Sequence, residues 1–274
     1  MEYTKQELRE LQAIEKQMLE VFVDICEKLN LRYYLIAGTL LGAVRHGGFI
    51  PWDDDIDVGM PRQDYEIFLE KGQALLPKHL FLQTIWTDRE YLNCFAKIRN
   101  SNTAFIETTV ANHHINHGVF IDVFPLDHFP EKKNEQRKVQ GKKRLYKLSI
   151  AGRYNVKRTL KQRIVLLAAK ALCPSYRKAL EKRETLFMTI PESALSVNYG
   201  GAWGKKEIMP WSWYGEGVDV SFEGLTVKAP VAYHEMLTQL YGDYMTPPPV
   251  HKQVTHHYTD VIDLEKSYTQ YLGK

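Results

Sequence analysis

Cysteine is the rarest residue in this 274-residue chain. The three that are present, Cys26, Cys94 and Cys173, are odd in number and lie far apart. Such spacing does not build a disulfide framework, and it does not match the paired cysteines of a zinc site. We therefore expect a protein that works in a reducing compartment.

Long apolar runs are also missing. No stretch approaches the ~18 consecutive apolar residues of a membrane-spanning helix. The first residues, MEYTKQE, are charged and lack the apolar centre of a signal peptide. These absences favour a cytoplasmic location. The content of 44% hydrophobic and 25% charged residues is typical of a globular protein, and the length suffices for one large domain or a core with a subdomain.

Negative charge, in contrast, is concentrated at one place. The run IPWDDDIDVG, residues 50–59, holds four carboxylates within five consecutive positions. Like charges at this density repel, and burying them is costly unless a cation neutralises them. If the run is a strand, Asp53, Asp55 and Asp57 share one face and form a site for a hard divalent cation such as Mg2+. The alternative is an acidic surface loop in which Trp52 is an ordinary core residue.

The segment before the acidic run has a pattern that suits phosphate binding. Residues 33–37 are rich in strand-forming side chains, and Gly38 and Thr39 follow them at the start of a short helix that reaches His46. Glycine lets the backbone come close to a ligand, and a helix N-terminus presents free N–H groups. Two further glycines, at 47 and 48, end the helix and return the chain toward the aspartates.

A second acidic position lies further along the chain, in the apolar run GVFIDVFPLD at residues 118–127. Asp122 stands in the middle of this predicted strand, where an isolated charge is costly unless it is paired or binds a metal. In the functional interpretation, Asp122 is the third carboxylate of the same site and lies across the sheet from Asp55 and Asp57. The alternative is an aspartate at a strand end that makes local hydrogen bonds.

Three segments together resemble the LicD family, within the nucleotidyltransferase superfamily. They are AGTLLGAVRHGGFIPWDDDID at 37–57, FIDVFPLD at 120–127 and YGDYMTPPP at 241–249. The family contains bacterial phosphorylcholine transferases and the eukaryotic relatives fukutin and fukutin-related protein, which transfer ribitol phosphate. The resemblance implies a cytidine-diphosphate donor, a divalent metal and a sugar-hydroxyl acceptor, with release of CMP by in-line attack.

The resemblance also implies roles for particular residues. The catalytic residues would be Asp55, Asp57 and Asp122, and the same three with Asp53 would hold two Mg2+ or Mn2+ ions, while Asp54 points elsewhere. Asp122 would also accept the proton of the attacking hydroxyl. The substrate-binding residues would be Gly38, Thr39, Arg45, His46, Trp52, Lys97, Arg99 and Asp127. Lys97 and Arg99 alternate on one predicted strand and could point at phosphates or lie at the surface.

Three functions are compatible with these residues. The first is transfer of phosphorylcholine from CDP-choline to a sugar hydroxyl of a teichoic-acid or lipopolysaccharide precursor, which would be lipid-linked. The second keeps the chemistry and moves glycerol phosphate, ribitol phosphate or a nucleotidyl group. The third is an inactive relative that binds membrane or polymer. An aromatic head-group pocket would favour choline, because quaternary ammonium groups bind to aromatic faces.

The net charge of +3 conceals a basic middle segment. Residues 131–185 contain 18 Lys and Arg against four Glu, a local net of +14, so the remainder carries −11. Its most apolar part, residues 160–172, is bounded by Pro174 and predicts a basic amphipathic helix. This helix would contact the inner face of the cell membrane, bind an anionic acceptor, or simply pack on its neighbours. Nucleic acid is not expected, since no binding motif accompanies the charge.

The predicted fold is α/β (α+β), with a nucleotidyltransferase-like mixed sheet flanked by helices. We divide the chain into a catalytic core at 1–130, a basic helical insert at 131–190 and a C-terminal part at 191–274 that completes core and site. Helical periodicity covers residues 4–29 and 62–76. Short strands of a β-meander are predicted at 81–86, 93–99 and 103–107.

The roles of several other side chains are not determined by these motifs. His113, His114 and His117 precede the Asp122 strand, and we interpret them as loop residues on the acceptor side. The segment YGGAWG at 199–204 is either core or part of an aromatic cage. The late histidines at 251, 256 and 257 form either a lid over the site or plain surface.

Overall fold

The computed structural model describes residues 4–272, so the first three residues of the charged N-terminus lie outside it. Its first helix shows why the sequence folds this way locally. Thr4 accepts a hydrogen bond from the backbone of Glu7, and the Glu7 side chain accepts one from the Thr4 backbone, which forms a capping box. Asn30 ends the helix in the left-handed conformation. The α-helices are α1 (Lys5–Leu29), α2 (Ala37–His46), α3 (Arg62–Leu75), α4 (Lys133–Ala151), α5 (Leu160–Leu172), α6 (Tyr176–Met188) and α7 (Tyr233–Tyr241).

Eleven strands form one large mixed sheet and two small antiparallel pairs within residues 4–272. The large sheet has seven strands in the order β1-β2-β6-β4-β3, with β7 beside β6 and β8 beside β7. The small pairs are β9 with β10 and β5 with β11. The strands are β1 (Tyr34–Leu35), β2 (Asp57–Pro61), β3 (Leu80–Gln83), β4 (Ala96–Asn100), β5 (Ala104–Glu107), β6 (Val119–Phe129), β7 (Leu195–Asn198), β8 (Ile208–Pro210), β9 (Val218–Phe222), β10 (Leu225–Ala229) and β11 (Thr259–Asp263).

Strand β6 is the centre of the large sheet. It pairs with β2 in parallel on one side, while on the other side its first half pairs with β4 and its second half with β7, both antiparallel. Its residues are buried almost throughout, as expected for a strand covered on both faces. Asp122 and Val123 of β6 therefore have direct partners on both β2 and β4.

Helix α1 covers one face of this sheet. Leu11, Leu19 and Phe22 are fully buried and belong to the main hydrophobic cluster, together with Val58 of β2 and Ile121 of β6. The helix thus packs the core that holds β2 and β6 in place. The helix predicted over residues 4–29 is thus one of the helices that flank the sheet.

The predicted α+β fold class with a mixed sheet and flanking helices is confirmed, and two strand predictions need correction. The strand predicted at 81–86 ends at Gln83, because the chain turns where the Thr87 hydroxyl donates to the Leu82 carbonyl. The strand β5 does not continue the meander; it pairs with β11 from the far end of the chain. That partner lies about 150 residues away, so local patterning could not reveal it.

The predicted basic segment at 131–190 contains three helices, α4, α5 and α6. Helix α6 buries Leu180 and Phe187, whereas Ala169 is the only buried residue within α5. No helix within residues 4–272 is long and apolar enough to cross a membrane. The division of the chain at 130 and 190 stays a prediction.

Candidate active site

A cavity of about 610 Å³ opens where β2, β6 and the N-terminus of α2 meet. Four aspartates from the acidic loop, β2 and β6 line one part of it: Asp53, Asp55, Asp57 and Asp122. These are the four residues predicted to face one another, and the structure brings all of them to one wall. Asp57 is the first residue of β2, so the three aspartates before it lie in the loop that leads into the strand.

The position of Asp57 and Asp122 follows from strand register. The two residues are direct partners in the parallel pairing of β2 with β6, and Lys97 is the direct partner of Asp122 in the antiparallel pairing with β4. The three side chains therefore form a row across three adjacent strands. Lys97 is buried, with its Nζ 2.8 Å from Asp122 Oδ1 and 3.2 Å from the centre of the Phe120 ring.

Asp54 has a different role from its neighbours. It does not line the cavity; its carboxylate accepts hydrogen bonds from the backbone N–H groups of His256 and His257, each at 3.2 Å. The His257 ring nitrogen Nδ1 also lies 3.2 Å from Asp54 Oδ1. This aspartate therefore ties the C-terminal segment to the acidic loop, in agreement with the prediction that it points elsewhere.

Burial and repulsion disfavour the charged forms of these acids. Burial raises the pKa of Asp53 and Asp57 well above the usual range, and the neighbouring Asp55 raises both further. Burial also raises the pKa of Asp122 to about 6, although Lys97 acts against it. Burial opposes the charged form of His257, but the hydrogen bond to Asp54 raises its pKa to about 9. If all four acids were charged, Lys97 and His257 could not balance them, so their charged forms are disfavoured unless a cation is bound.

The donor set fits a hard divalent cation. Carboxylate oxygens are the ligands that Mg2+ and Mn2+ prefer, and a cation would supply the positive charge that the wall lacks. One oxygen from each of Asp53, Asp54 and Asp55 lies within 4.8 Å of the others. This cluster contains two of the predicted ligands, Asp53 and Asp55, together with Asp54, which was not predicted as one; Asp57 and Asp122 line the same cavity. The predicted ligands Asp53, Asp55, Asp57 and Asp122 thus have the right chemistry for the cation, and their role as ligands stays a proposal.

The predicted phosphate turn opens α2 at the cavity. Ile36 precedes the helix and has no polar side chain to cap its first N–H groups, and Gly38 lies on the cavity wall. Thr39 is buried, and its hydroxyl accepts a 2.8 Å hydrogen bond from the Asp57 N–H. Thr39 therefore holds the start of β2 and positions Asp57, which differs from its predicted contact with substrate.

Gly38→Ala is expected to lower turnover about 100-fold, since a misplacement of ~1 Å near the reacting groups can cost that much. A Cβ at this position would lie 2.8 Å from Asp53 Oδ2. The atom it would meet is the end of a side chain and not backbone, so the carboxylate can shift and the free energy of unfolding should change little. Steady-state kinetics and thermal unfolding measure the two effects. Gly141→Ala is the control, because a Cβ there meets nothing within 4 Å. Wild-type turnover by Gly38→Ala would contradict the need for this close approach.

Two predicted substrate-binding residues are engaged elsewhere. Arg99 is buried and donates to Gln83, to the Gly118 carbonyl and to Glu107 at 2.8–3.0 Å. Because all of its nitrogen atoms are used in the sheet, its predicted contact with substrate is wrong. The predicted contact of Asp127 with substrate is also wrong, because Asp127 is buried and accepts two hydrogen bonds from Arg62, at 2.7 and 2.8 Å.

Of the remaining predicted substrate-binding residues, two line the cavity and two lie outside its lining. Arg45 and Trp52 line the cavity, and Arg45 donates a 2.7 Å hydrogen bond to the Tyr244 carbonyl. His46 is exposed and packs edge-on with the Trp52 ring. Within residues 4–272 it is not among the residues that line the cavity. Lys97 lies behind the wall and contacts Asp122, so it acts on the carboxylates instead of the predicted phosphates.

The histidines before β6 do not reach the cavity. His113 and His117 are buried, and both bond to backbone carbonyl groups: His113 to Glu90 and Arg153, His117 to His113. The interpretation of these residues as an acceptor-side lining is therefore wrong. Their role is to hold the loop that leads into β6.

Aromatic side chains from the core and from the C-terminal part line another portion of the cavity, the aromatic wall. Two ring pairs face the cavity: Phe95 with Phe124, 4.2 Å between ring centres, and Trp203 with Tyr241, 4.9 Å. Glu207 lies on the same wall and accepts a hydrogen bond from the Trp203 N–H at 3.2 Å. The glycine-rich aromatic segment around Trp203 was one signal for this wall. Glu207 and Phe95 had none, because neither stands in a recognisable motif.

The last segment of the wall contains the late histidines. Pro248, Lys252, His256 and His257 all line the cavity, which supports the interpretation of this stretch as a cover of the site. His251 is exposed, and among residues 4–272 it is not one of those that line the cavity. From the sequence, the late histidines could be either a lid over the site or ordinary surface residues, and the sequence did not decide between the two.

Comparison with known proteins identifies similarity over most of the chain and further similarities over shorter stretches. The family profile described as LicD/FKTN/FKRP, nucleotidyltransferase domain, matches residues 30–150. Lipopolysaccharide cholinephosphotransferase LicD of Haemophilus influenzae is 30% identical over 259 residues, which cover 91% of this chain and 96% of that protein. Human ribitol 5-phosphate transferase FKRP is 50% identical over 42 residues, 15% of this chain and 8% of its own. Human ribitol-5-phosphate transferase FKTN is 38% identical over 69 residues, covering 24% of this chain and 15% of that protein.

Proposed function

Because this chain belongs to the LicD family, we propose that it transfers phosphorylcholine from CDP-choline to a sugar hydroxyl of a cell-surface glycan precursor. The acceptor class is a lipopolysaccharide or teichoic-acid precursor; the LicD relative from Haemophilus influenzae is named for lipopolysaccharide. The observation that carries the proposal is the cavity itself, whose lining combines an acidic wall with an aromatic one.

The aromatic wall supports choline as the transferred head group. Choline carries a quaternary ammonium group, which donates no ordinary hydrogen bond and is bound by aromatic faces and a nearby negative charge. Phe95, Phe124, Trp203 and Tyr241 supply aromatic rings, and Glu207 supplies a carboxylate beside them. A polyol head group would instead require several polar side chains that bind its hydroxyl groups.

The acidic wall supports a divalent cation at the other end of the donor. Asp55, Asp57 and Asp122 would hold Mg2+ or Mn2+, with Asp53 as an additional ligand. When bound, two such ions would neutralise the negative charge that grows on the departing phosphate.

The side chains and backbone then have separate tasks. The first N–H groups of α2, beside Gly38, would bind a phosphate of the donor. Lys97 holds one oxygen of Asp122 and keeps this carboxylate in the row with Asp57. Asp122 would accept the proton of the acceptor hydroxyl. The hydroxyl oxygen would attack the phosphorus that carries choline, the bond from that phosphorus to CMP would break, and CMP would leave with the bonding electrons.

The alternative is transfer of glycerol phosphate or ribitol phosphate from a CDP-polyol, or of a nucleotidyl group. The similarity to FKRP and FKTN favours ribitol phosphate, but it covers at most 24% of this chain. An inactive binding protein is the third possibility. The complete acidic wall around Asp57 disfavours it, because a protein that only binds membrane or polymer has no need of these costly buried acids.

A donor comparison tests the proposal. The purified chain is incubated with Mg2+, a lipopolysaccharide or teichoic-acid precursor, and CDP-choline, CDP-glycerol or CDP-ribitol in separate reactions, and CMP release is measured. We expect acceptor-dependent release from CDP-choline. Release from a CDP-polyol alone would establish the alternative, and release from none of the three would contradict both.

Glu207→Gln is expected to raise KM for CDP-choline about tenfold at pH 8, consistent with the ~1–3 kcal/mol lost with a buried charged partner. Burial raises the pKa of the Glu207 carboxyl to about 7, although the Trp203 N–H and Lys143 act against it. The wild-type carboxylate is charged above this pH, so KM should fall as the pH rises through 7. The glutamine variant should lose this dependence.

The control for this experiment is Glu216→Gln, since Glu216 is exposed and lies outside the cavity wall formed by residues 4–272. It should keep the wild-type KM and its pH profile. An unchanged pH profile in Glu207→Gln would remove Glu207 from the head-group pocket, while leaving the donor comparison valid.

A further inference from the structure

Helix α5 exposes a continuous apolar face. Leu160, Ile164 and Leu167 are 74%, 58% and 67% exposed. With Ala171 they follow the i, i+4, i+7, i+11 spacing that places side chains on one side of a helix. Large exposed apolar residues on a single face are unusual in a soluble protein and mark an interaction surface.

The opposite side of α5 attaches it to the protein. Ala169 is buried there, and its backbone carbonyl accepts a hydrogen bond from the Ser149 hydroxyl of α4. Helix α5 has its main packing partner in α4. The apolar face therefore points outward, away from the rest of residues 4–272.

Basic side chains border this face on both sides. Lys161 lies at one margin, and Arg163 and Lys170 lie at the other; all three are exposed. From residue 153 to residue 180 the chain has eight Lys and Arg and no Asp or Glu. An apolar centre with basic margins is the pattern of helices that lie in the interface of an anionic bilayer.

We propose that α5 docks the protein on the surface of an anionic lipid bilayer. Leu160, Ile164 and Leu167 would enter the boundary between head groups and acyl chains, and the basic margins would contact lipid phosphates. A second copy of the chain fits this face less well, because two copies would bring basic margins together without acids between them. The proposal rests on α5 alone and does not depend on the proposed activity.

Helix α4, which carries α5, also contacts a residue next to the wall of the candidate active site. Lys143 of α4 lies 5.1 Å from the centre of the Tyr199 ring, and Tyr199 directly precedes the glycines of the aromatic wall. A bilayer bound at α5 is thus connected to the cavity through one helix. This arrangement suits an acceptor that is itself anchored in the bilayer.

Vesicle flotation of the full chain tests the proposal. The vesicles contain phosphatidylglycerol and phosphatidylcholine in equal parts, or phosphatidylcholine alone. We expect binding to the anionic vesicles, weaker binding as salt is added, and little binding to the neutral ones. The Leu160→Ser/Leu167→Ser variant should bind anionic vesicles about tenfold more weakly, because less apolar surface enters the interface.

The matched control is Leu75→Ser/Val231→Ser, which removes two exposed apolar side chains elsewhere on the surface, 45% and 43% exposed. It should bind like the wild type, and circular dichroism should show that both variants are folded. Equal binding by Leu160→Ser/Leu167→Ser and wild type would overturn the proposal. So would a wild-type dimer, seen by light scattering, that this variant dissociates while neither protein binds vesicles.

Discussion

Asp57→Asn is expected to lower the kcat/KM of the proposed transfer about 1000-fold, the upper range for loss of one group that stabilises transition-state charge. Asp57 lies between the acidic loop and Asp122, in the row across β2, β6 and β4. Asparagine keeps the shape of the side chain and removes its charge. The measurement is metal-dependent release of CMP under steady-state conditions.

The same substitution should leave the fold intact or stabilise it when no divalent cation is present. Burial and repulsion from Asp55 raise the pKa of Asp57 well above the usual range, so a neutral side chain relieves a repulsion that the folded state bears. Mg2+ should raise the melting temperature of the wild type, because it binds the folded acids, and should raise that of Asp57→Asn less.

Asp24→Asn serves as the control, since Asp24 lies on the exposed surface of α1 and pairs only with Lys28 in the structure of residues 4–272. It should keep both turnover and the response to Mg2+. Full turnover by Asp57→Asn would remove Asp57 from the proposed metal site, whatever its effect on melting.

Arg62→Met is expected to reduce the free energy of unfolding by about 3–5 kcal/mol, the cost of breaking a buried ion pair by removal of one partner. Arg62 binds both oxygens of Asp127, and the Asp127 side chain is 1% exposed. Without the guanidinium group, Asp127 is left buried without a cationic partner. Urea denaturation followed by circular dichroism measures the loss.

Lys228→Met is the control, because Lys228 pairs with Asp219 through side chains that are both exposed, 43% and 62%. Surface pairs of this kind contribute at most about 1 kcal/mol. If Arg62→Met kept its stability and instead raised KM for the donor, Asp127 would return to the substrate-binding role that the sequence predicted for it.

The mistaken role of Asp127 had a signal against it in the sequence. Asp122 and Asp127 are five positions apart on one strand, and residues an odd number apart point to opposite faces. An aspartate that faces the cavity at 122 therefore predicts that Asp127 faces away from it. The resemblance of the whole segment to a family motif had outweighed this simple alternation.

Arg99 had no such signal. Its predicted alternation with Lys97 is correct, because both side chains lie over the Phe120 ring. What removes Arg99 from substrate is Glu107 of β5, together with Gln83 and the Gly118 carbonyl. Those partners depend on where neighbouring strands and loops pass, which alternation within one strand does not specify.

The sequence by itself determined the parts of this protein that depend on neighbours within a few residues. Helices α1, α3 and α5 follow from apolar periodicity, with capping boxes that begin α1 and α5, and the four aspartates follow from their own spacing. The turn that opens α2 beside them has the same local origin. Propensity, periodicity and repulsion act over short stretches of chain, so these features were predictable.

Only the tertiary structure decided which charges meet. Strand register places Lys97 against Asp122, and the return of the C-terminal segment places His257 against Asp54, 203 positions away. It also brought Glu207 and Phe95 to the cavity and turned the apolar face of α5 outward. These contacts depend on packing between distant segments, where the free energy belongs to the whole fold and not to any one stretch of sequence.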